Sequence, residues 1–440
     1  MMKKSILLII AFVMAAPAFA QPMEPRFVKI DSLLSYFAAN NKFMGSVSIR
    51  EKDKVVFERA YGYADAENKI KANADTKYKI GSITKMFTSV VIFQLMEEKK
   101  LMPDAKLSQF FPNIKNADSI TITNLLNHTS GLYNYTNDSI FGSYVTAFQP
   151  RKAMLKRIEA YEPAFSPGST ADYSNTNYLL LGYIIEDILK KPYKDVVEER
   201  IVKKLGLKNT YYFGKINPRR NEAYSYHFNG TEWERHEEWN ESAAGAAGAM
   251  QSTPTDLTKF IRALFEGKLV KKASLDEMLK FDYGFGKGIF SFPFGERRFY
   301  GHNGGIENFT SSLGYYPKDG LAIALNVNGD NYDGNEIMIG ILSIYYKLPY
   351  RFPNLKTVTV APEILKGYEG TYASPGVPLK INIKYTDGVL MAQATGQGAF
   401  PLNPASETEF NFNPAGINII FKDNGFTIYQ GGTETEFKKE

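Results

Sequence analysis

Lys79-Ile80-Gly81-Ser82-Ile83-Thr84-Lys85, with the apolar run that follows it to Met96, is the stretch on which the reading of this chain turns. Ser82 and Lys85 stand three apart, so a helix beginning here puts both side chains on one face, one turn apart. Ile83, Phe87, Val90, Val91, Ile92, Phe93, Leu95 and Met96 make that helix apolar nearly all round, which predicts burial at a domain centre. A serine in the first turn of such a helix lies beside free backbone N–H groups and the positive end of the helix dipole. A hydroxyl next to an amine, in that field, is the arrangement that makes and stabilises an alkoxide-like nucleophile. The plainer alternative is an N-cap serine followed by a solvated lysine. A chain of this length and composition should hold about two S-x-x-K matches by chance. It holds one, so the stretch needs partners.

Outward from it, 440 residues allow two or more domains, and 44% hydrophobic with 22% charged residues reads as ordinary globular protein. Residues Met1 to Ala20 read as a signal peptide. Lys3 and Lys4 form the basic start, Ile6 to Val13 the apolar middle, and Ala18-Phe19-Ala20 the cleavage site. A mature chain exported without a single cysteine suits a bacterial periplasm, and excludes disulfides, a lipid-anchored cysteine and thiol catalysis. No later segment reaches transmembrane length. Net charge is +5, of which the signal's two lysines supply two. The remaining basic residues are interleaved with acidic ones, as in Glu97-Glu98-Lys99-Lys100, so no nucleic-acid footprint is visible. The four histidines, at 128, 227, 236 and 302, show no metal-ligand spacing, and no cofactor is implied.

Phe27 to Asn40 predicts an amphipathic helix, and Phe43 to Arg50 with Val55 to Tyr61 a hairpin. The chain then reads as largely helical to about residue 210, with helices near 120–128, 151–161 and 178–189. Ala243 to Met250 is an Ala/Gly run suited to close packing or a mobile loop, and Thr253-Pro254 opens a helix through Phe265. Strand periodicity returns at 283–292, 298–301, 309–316 and 321–328, before a closing helix at 337–346. Strands at both ends with helices between predict an α/β (α+β) fold, one mixed sheet whose first and last strands pair beside a helical region. Residues 348–353 read as a linker. The alternating stretches 379–385, 389–394, 417–421 and 426–429 beyond it predict a separate, small all-β barrel. The domains are thus 21–350 and 351–440.

Two stretches offer what Ser82 and Lys85 need. Tyr173-Ser174-Asn175 sets a phenol and an amide two apart on a loop entering a helix. Beside an ammonium, a tyrosine's pKa falls, and it can act as base and then acid. An amide such as Asn175 can bond a substrate carbonyl. Tyr135-Thr136-Asn137 has the same spacing without an apolar helix behind it. His302-Asn303-Gly304-Gly305 follows a strand-like stretch, and its glycines let a ligand approach the backbone. The Gly305 N–H could then join that of Ser82 as an oxyanion donor.

In this order the three motifs resemble class C β-lactamases and related penicillin-recognising serine hydrolases, which include D-alanyl-D-alanine carboxypeptidases, D-aminopeptidases and esterases. Leu125-Leu126-Asn127-His128-Thr129-Ser130-Gly131-Leu132, Gly245 to Asp256 and Tyr283-Gly284-Phe285-Gly286 resemble further stretches of that family. The likeness spans about residues 25 to 350. It implies a β-lactamase/transpeptidase-like fold with Ser82 as the acylated nucleophile and Lys85 with Tyr173 as the proton-transfer pair. Asn175, His302, Asn303, Gly304 and Gly305 would bind substrate. Class C β-lactamases carry lysine then Thr-Gly at the third motif; histidine here is closer to the carboxypeptidase and esterase branches. The expectation is a secreted serine hydrolase acting on D-residue peptides or small esters. The alternatives are a true β-lactamase, or a slowly acylating penicillin-binding module. The C-terminal unit resembles the lipocalin-like domain of some members.

Overall fold

The structure, a computed structural model, describes residues 23–440; the signal-peptide reading of Met1 to Ala20 lies outside the described residues. Its centre is the helix Thr84–Glu97, whose residues Thr84 through Leu95 are all buried. Among the described residues no helix is long and apolar enough to cross a membrane. The buried helix carries polar side chains that need partners in the interior. Thr88 donates to the Ala246 carbonyl at 2.7 Å, and Thr84 Oγ1 accepts from Met250 N at 3.1 Å. The Ala/Gly run makes this possible. It forms the helical segment Glu241–Gly248, kinked at Gly245, and packs against both the central helix and the helix Asn175–Leu189. A Cβ placed on Gly182 would lie 2.4 Å from Ala246 Cβ, so only small residues permit this approach.

The main sheet runs Phe290–Phe294, Arg297–Ile306, Phe309–Tyr316, Leu321–Asp330, Phe43–Glu51 and Lys54–Tyr61 along its path. The first strand of the chain pairs antiparallel with Leu321–Asp330, as predicted from strands at both ends. Helices Pro25–Ala39 and Gly334–Tyr345 cover one face, while Pro254–Phe265 packs on the other and joins it to the helical region. Two strand predictions need correction. The stretch 283–292 becomes a strand only from Phe290, because Gly284 and Gly288 take positive φ and turn the chain before it. His302 to Gly305 lie inside the Arg297–Ile306 strand rather than beyond it, paired with Leu313 to Thr310.

From Gly370 to Lys439 eight strands close into a barrel. Its interior is packed with side chains, among them Tyr372, Phe410, Phe421, Phe426 and Phe437. The barrel seats on the start of the Gly334–Tyr345 helix. Asp333 N–H donates to the Asn413 carbonyl at 3.1 Å, and Gly431 N–H to Glu336 Oε1 at 2.8 Å. Burial under the barrel pushes the Glu336 carboxyl from 4.5 up to about 7, with the Gly431 N–H opposing and Asp333 reinforcing it. The native state therefore holds this proton more tightly than the unfolded chain, and stability must fall as pH rises from roughly 4.5 through 7. Thermal melts across that range should show a downward Tm slope that Glu336→Gln flattens. An unchanged slope in the variant would assign the pH dependence to other groups.

Candidate active site

Three stretches far apart in sequence meet at the N-terminal end of the central helix. Ser82 sits half-buried in the 3-10 turn Gly81–Ile83 that leads into it. Lys85 Nζ lies 2.8 Å from Ser82 Oγ, 2.7 Å from Asn175 Oδ1 and 2.7 Å from the Ala247 carbonyl. None of these partners is a carboxylate. Full burial without a counter-charge drives the lysine well below its ordinary pKa. Geometry then sets the proton arrangement. Two carbonyl oxygens can only accept, so Nζ donates one N–H to Asn175 and one to Ala247. Its third hydrogen is directed at Ser82 Oγ, and because burial disfavours the charged form, giving up that proton leaves a lone pair facing the hydroxyl.

Tyr173 lines the same cleft as Ser82, with its hydroxyl buried. Lys85 Nζ lies over the face of its ring, 4.9 Å from the centroid. The expectation that an adjacent ammonium lowers this phenol is overturned. Burial raises it well above the ordinary tyrosine value, and only the Ser82 hydroxyl acts the other way. The physical reason is that the phenol is enclosed, and the cost of desolvating a phenolate outweighs what its polar neighbours offer. His128 stacks on Tyr173 with ring centroids 4.4 Å apart, and its Nδ1 accepts from Ser174 N at 3.2 Å. Burial and Lys85 keep His128 neutral as well. Tyr135 is a core residue whose hydroxyl donates to the Ala243 carbonyl at 2.6 Å, away from the cleft lining.

His302 projects from its strand into the cleft, with Nδ1 2.5 Å from the Asn303 carbonyl. That bond requires the proton on Nδ1, which leaves Nε2 as a buried acceptor without a partner. Burial first, then Lys85, pushes His302 down to about 3. His302 is therefore a neutral ring at neutral pH. Asn303 and Gly305 are exposed beside it, and both line the cleft with Gly304. Asn175 is not among the lining side chains. Its Oδ1 holds Lys85, and its Nδ2 gives one hydrogen to Thr136 Oγ1 at 3.0 Å, which leaves the other free.

Backbone packing joins the first motif to the third. A Cβ on Gly304 would lie 1.9 Å from the Ile80 carbonyl and 3.2 Å from Ser82 N, so no other residue allows the strand to reach the serine turn. The resulting cleft has a volume of about 860 Å³, and Asp333 is the one charged side chain on its lining; no Lys or Arg is among them. Among the described residues no group of His, Cys, Asp or Glu is placed to hold a metal ion. Two contributors escaped the sequence reading. His128 stands inside a quoted stretch but was given no role, while the Ala247 carbonyl belongs to the backbone and carries no residue signal at all.

A sequence model of the Beta-lactamase family matches residues 33–340. Teichoic acid D-alanine hydrolase of Staphylococcus aureus (strain NCTC 8325 / PS 47) is 29% identical over 314 residues, covering 70% of this chain and 75% of that protein. The D-amino acid amidase of Ochrobactrum anthropi SV3, in complex with D-phenylalanine, superposes with a TM-score of 0.65 at 26% identity. That match covers 73% of this chain and 99% of the amidase. The octameric penicillin-binding protein homologue of Pyrococcus abyssi matches with a TM-score of 0.67 at 25% identity, over 93% of this chain and 99% of its own.

Proposed function

This chain belongs to the Beta-lactamase family of serine hydrolases, and from that premise we propose that it hydrolyses D-aminoacyl esters or amides through an acyl-enzyme on Ser82. The observation that carries the proposal is the 2.8 Å contact between Ser82 Oγ and the Nζ of a fully buried Lys85 that has no carboxylate partner. As Oγ attacks the substrate carbonyl carbon, its proton passes to the Lys85 amine. The carbonyl electron pair moves onto oxygen, where the Ser82 and Gly305 N–H groups receive it. When the tetrahedral adduct collapses, the bond to the leaving group breaks and the neutral Tyr173 phenol protonates the departing atom. The Lys85 ammonium then restores the phenol's proton. Water attacks the ester in the second half, its proton taken by the same pair, and Ser82 leaves with a proton returned.

Cleft charge supports the choice of substrate. A carboxylate-bearing peptide or a penicillin would meet no cation on the lining, since His302 is neutral and Lys85 is spent on the serine. Asp333 and the free His302 Nε2 acceptor suit a donor-bearing group such as an α-ammonium. The relatives named above act, by their names, on D-alanine of teichoic acid and on D-amino acid amides. We place the hydrolase in residues 21–350 and the barrel in 351–440, with Met1 to Ala20 directing export to the periplasm.

The test is a competition between D-alanine esters or amides and acyl-D-Ala-D-Ala peptides or a fluorescent penicillin. The unacylated D-alanine substrates should have the higher kcat/KM. The kcat/KM of the carboxylate class relative to that of a neutral N-acylated ester should stay flat from pH 6 to 8, because His302 does not titrate there. His302→Lys should shift the ratio toward the carboxylate class by about tenfold or more, as a charge-assisted hydrogen bond contributes about 1.5–3 kcal/mol. Rapid penicillin turnover by the wild type would instead identify a β-lactamase, and a persistent label a penicillin-binding protein.

A further inference from the structure

A buried ion pair outside the cleft spans the same two segments that form it. Lys79, three residues before Ser82, donates its ammonium to Glu307, two residues after Gly305. Both side chains are essentially inaccessible, at 1% and 0% exposure. Glu307 Oε1 also accepts from Trp239 N at 2.8 Å, and Oε2 from the Ser225 hydroxyl at 3.2 Å. Lys79 Nζ lies 4.3 Å from the centroid of the Phe213 ring. The carboxylate is thus fastened on three sides, and the lysine ties it to the serine turn. Between these anchors, Ile80 to Ser82 lie against Gly304 and Gly305 in backbone contact, and a Cβ on Gly81 would come within 2.7 Å of the Gly305 carbonyl.

Stability alone explains such a pair poorly. Desolvating two charges is expensive, and replacing a buried pair by apolar side chains of similar size is often neutral or stabilising. What an ion pair supplies and apolar packing does not is a fixed separation between two named atoms. Resting on the acyl-enzyme reading above, we propose that Lys79 and Glu307 are positioning residues. They set the gap between the Ser82 and Gly305 N–H groups, and so the fit of the oxyanion hole to the tetrahedral intermediate. The pair touches neither substrate nor Ser82. Its effect should appear on groups that bind the transition state and not on those that bind the ground state.

The experiment uses Lys79→Met, Glu307→Gln and the double variant Lys79→Met/Glu307→Leu. Its readouts are Tm, kcat and KM for a D-alanine ester, and inhibition by an arylboronic acid. The boron accepts the Ser82 Oγ electron pair and becomes a tetrahedral anion with one oxygen in the hole. D-alanine itself serves as a ground-state competitor. The double variant leaves no unpaired charge but takes the acceptor from Trp239 N–H and the Ser225 hydroxyl, so it should fold with a lowered Tm. Misplacing catalytic groups by about an ångström costs about a hundredfold, so kcat should fall by about ten- to a hundredfold. Boronate affinity should fall by the same factor, while KM and D-alanine inhibition hold. Wild-type kcat and boronate affinity in the double variant would overturn the proposal and leave the pair a purely structural tie. Should the double variant fail to fold, Lys79→Met/Glu307→Gln decides in the same way, since it removes the tie to the serine turn and both charges while the amide keeps an acceptor oxygen for Trp239. A wild type that the boronate does not inhibit would instead break the Ser82 reading.

Discussion

Ser82→Ala is expected to lower turnover of a D-alanine ester by about a millionfold, the usual loss when a nucleophile acting within a unit is removed. The fold should be untouched. Ser82 is half-buried in a short turn, and its hydroxyl has Lys85 Nζ as its hydrogen-bond partner. Removing it leaves the lysine with both carbonyl acceptors, Asn175 Oδ1 and Ala247 O. The Tm of the variant should match wild type, and a boronate should no longer inhibit what activity remains. A variant that keeps a tenth of the wild-type rate would remove Ser82 from the chemistry and would falsify the acyl-enzyme reading as a whole.

Lys85→Ala should cost nearly as much, and Lys85→Arg should be no better. A guanidinium keeps the charge and the donors but cannot release a proton at any accessible pH, so it cannot serve as a base. Activity restored by arginine would mean that the site needs a cation and not a free amine. The sign of the pH dependence follows from burial. Lys85 is held well below its ordinary value, so the active free amine is lost as pH falls through the lowered pKa. The acid limb of kcat/KM should therefore belong to this lysine. Tyr173→Phe should also slow turnover severely, and Lys85→Ala/Tyr173→Phe should be little worse than either single change, since both serve one proton transfer. Independent losses from the two substitutions would separate their roles.

Much of this was legible in residues 79–96. An apolar helix with one serine and one lysine on its first turn can only be buried, and the buried helix runs from Thr84 as that pattern requires. The hairpin at 43–61 and the pairing of the first strand with Leu321–Asp330 also follow from alternation and from strands at both ends of the domain. Four of the eight barrel strands were visible, because their period-2 pattern is clean. Phe400–Pro404, with two prolines, and Thr433–Lys439, nearly all polar, hide theirs and are recruited by closure of the barrel.

Protonation states were another matter. From the motifs, Lys85 is an ammonium and Tyr173 a lowered phenol. Each is reversed by burial, which depends on what packs around a group and not on what it is. Lys85 is pushed toward its neutral form because it is buried with only a hydroxyl, an amide and a backbone carbonyl for partners. Tyr173 and His302 are held neutral by desolvation, with Lys85 adding to the effect on His302. Which residues meet at the site is written in local pattern and spacing, since helices and strands follow from short-range periodicity. Which of them holds a proton, and hence which acts as base and which as acid, is decided only when distant segments exclude water around them.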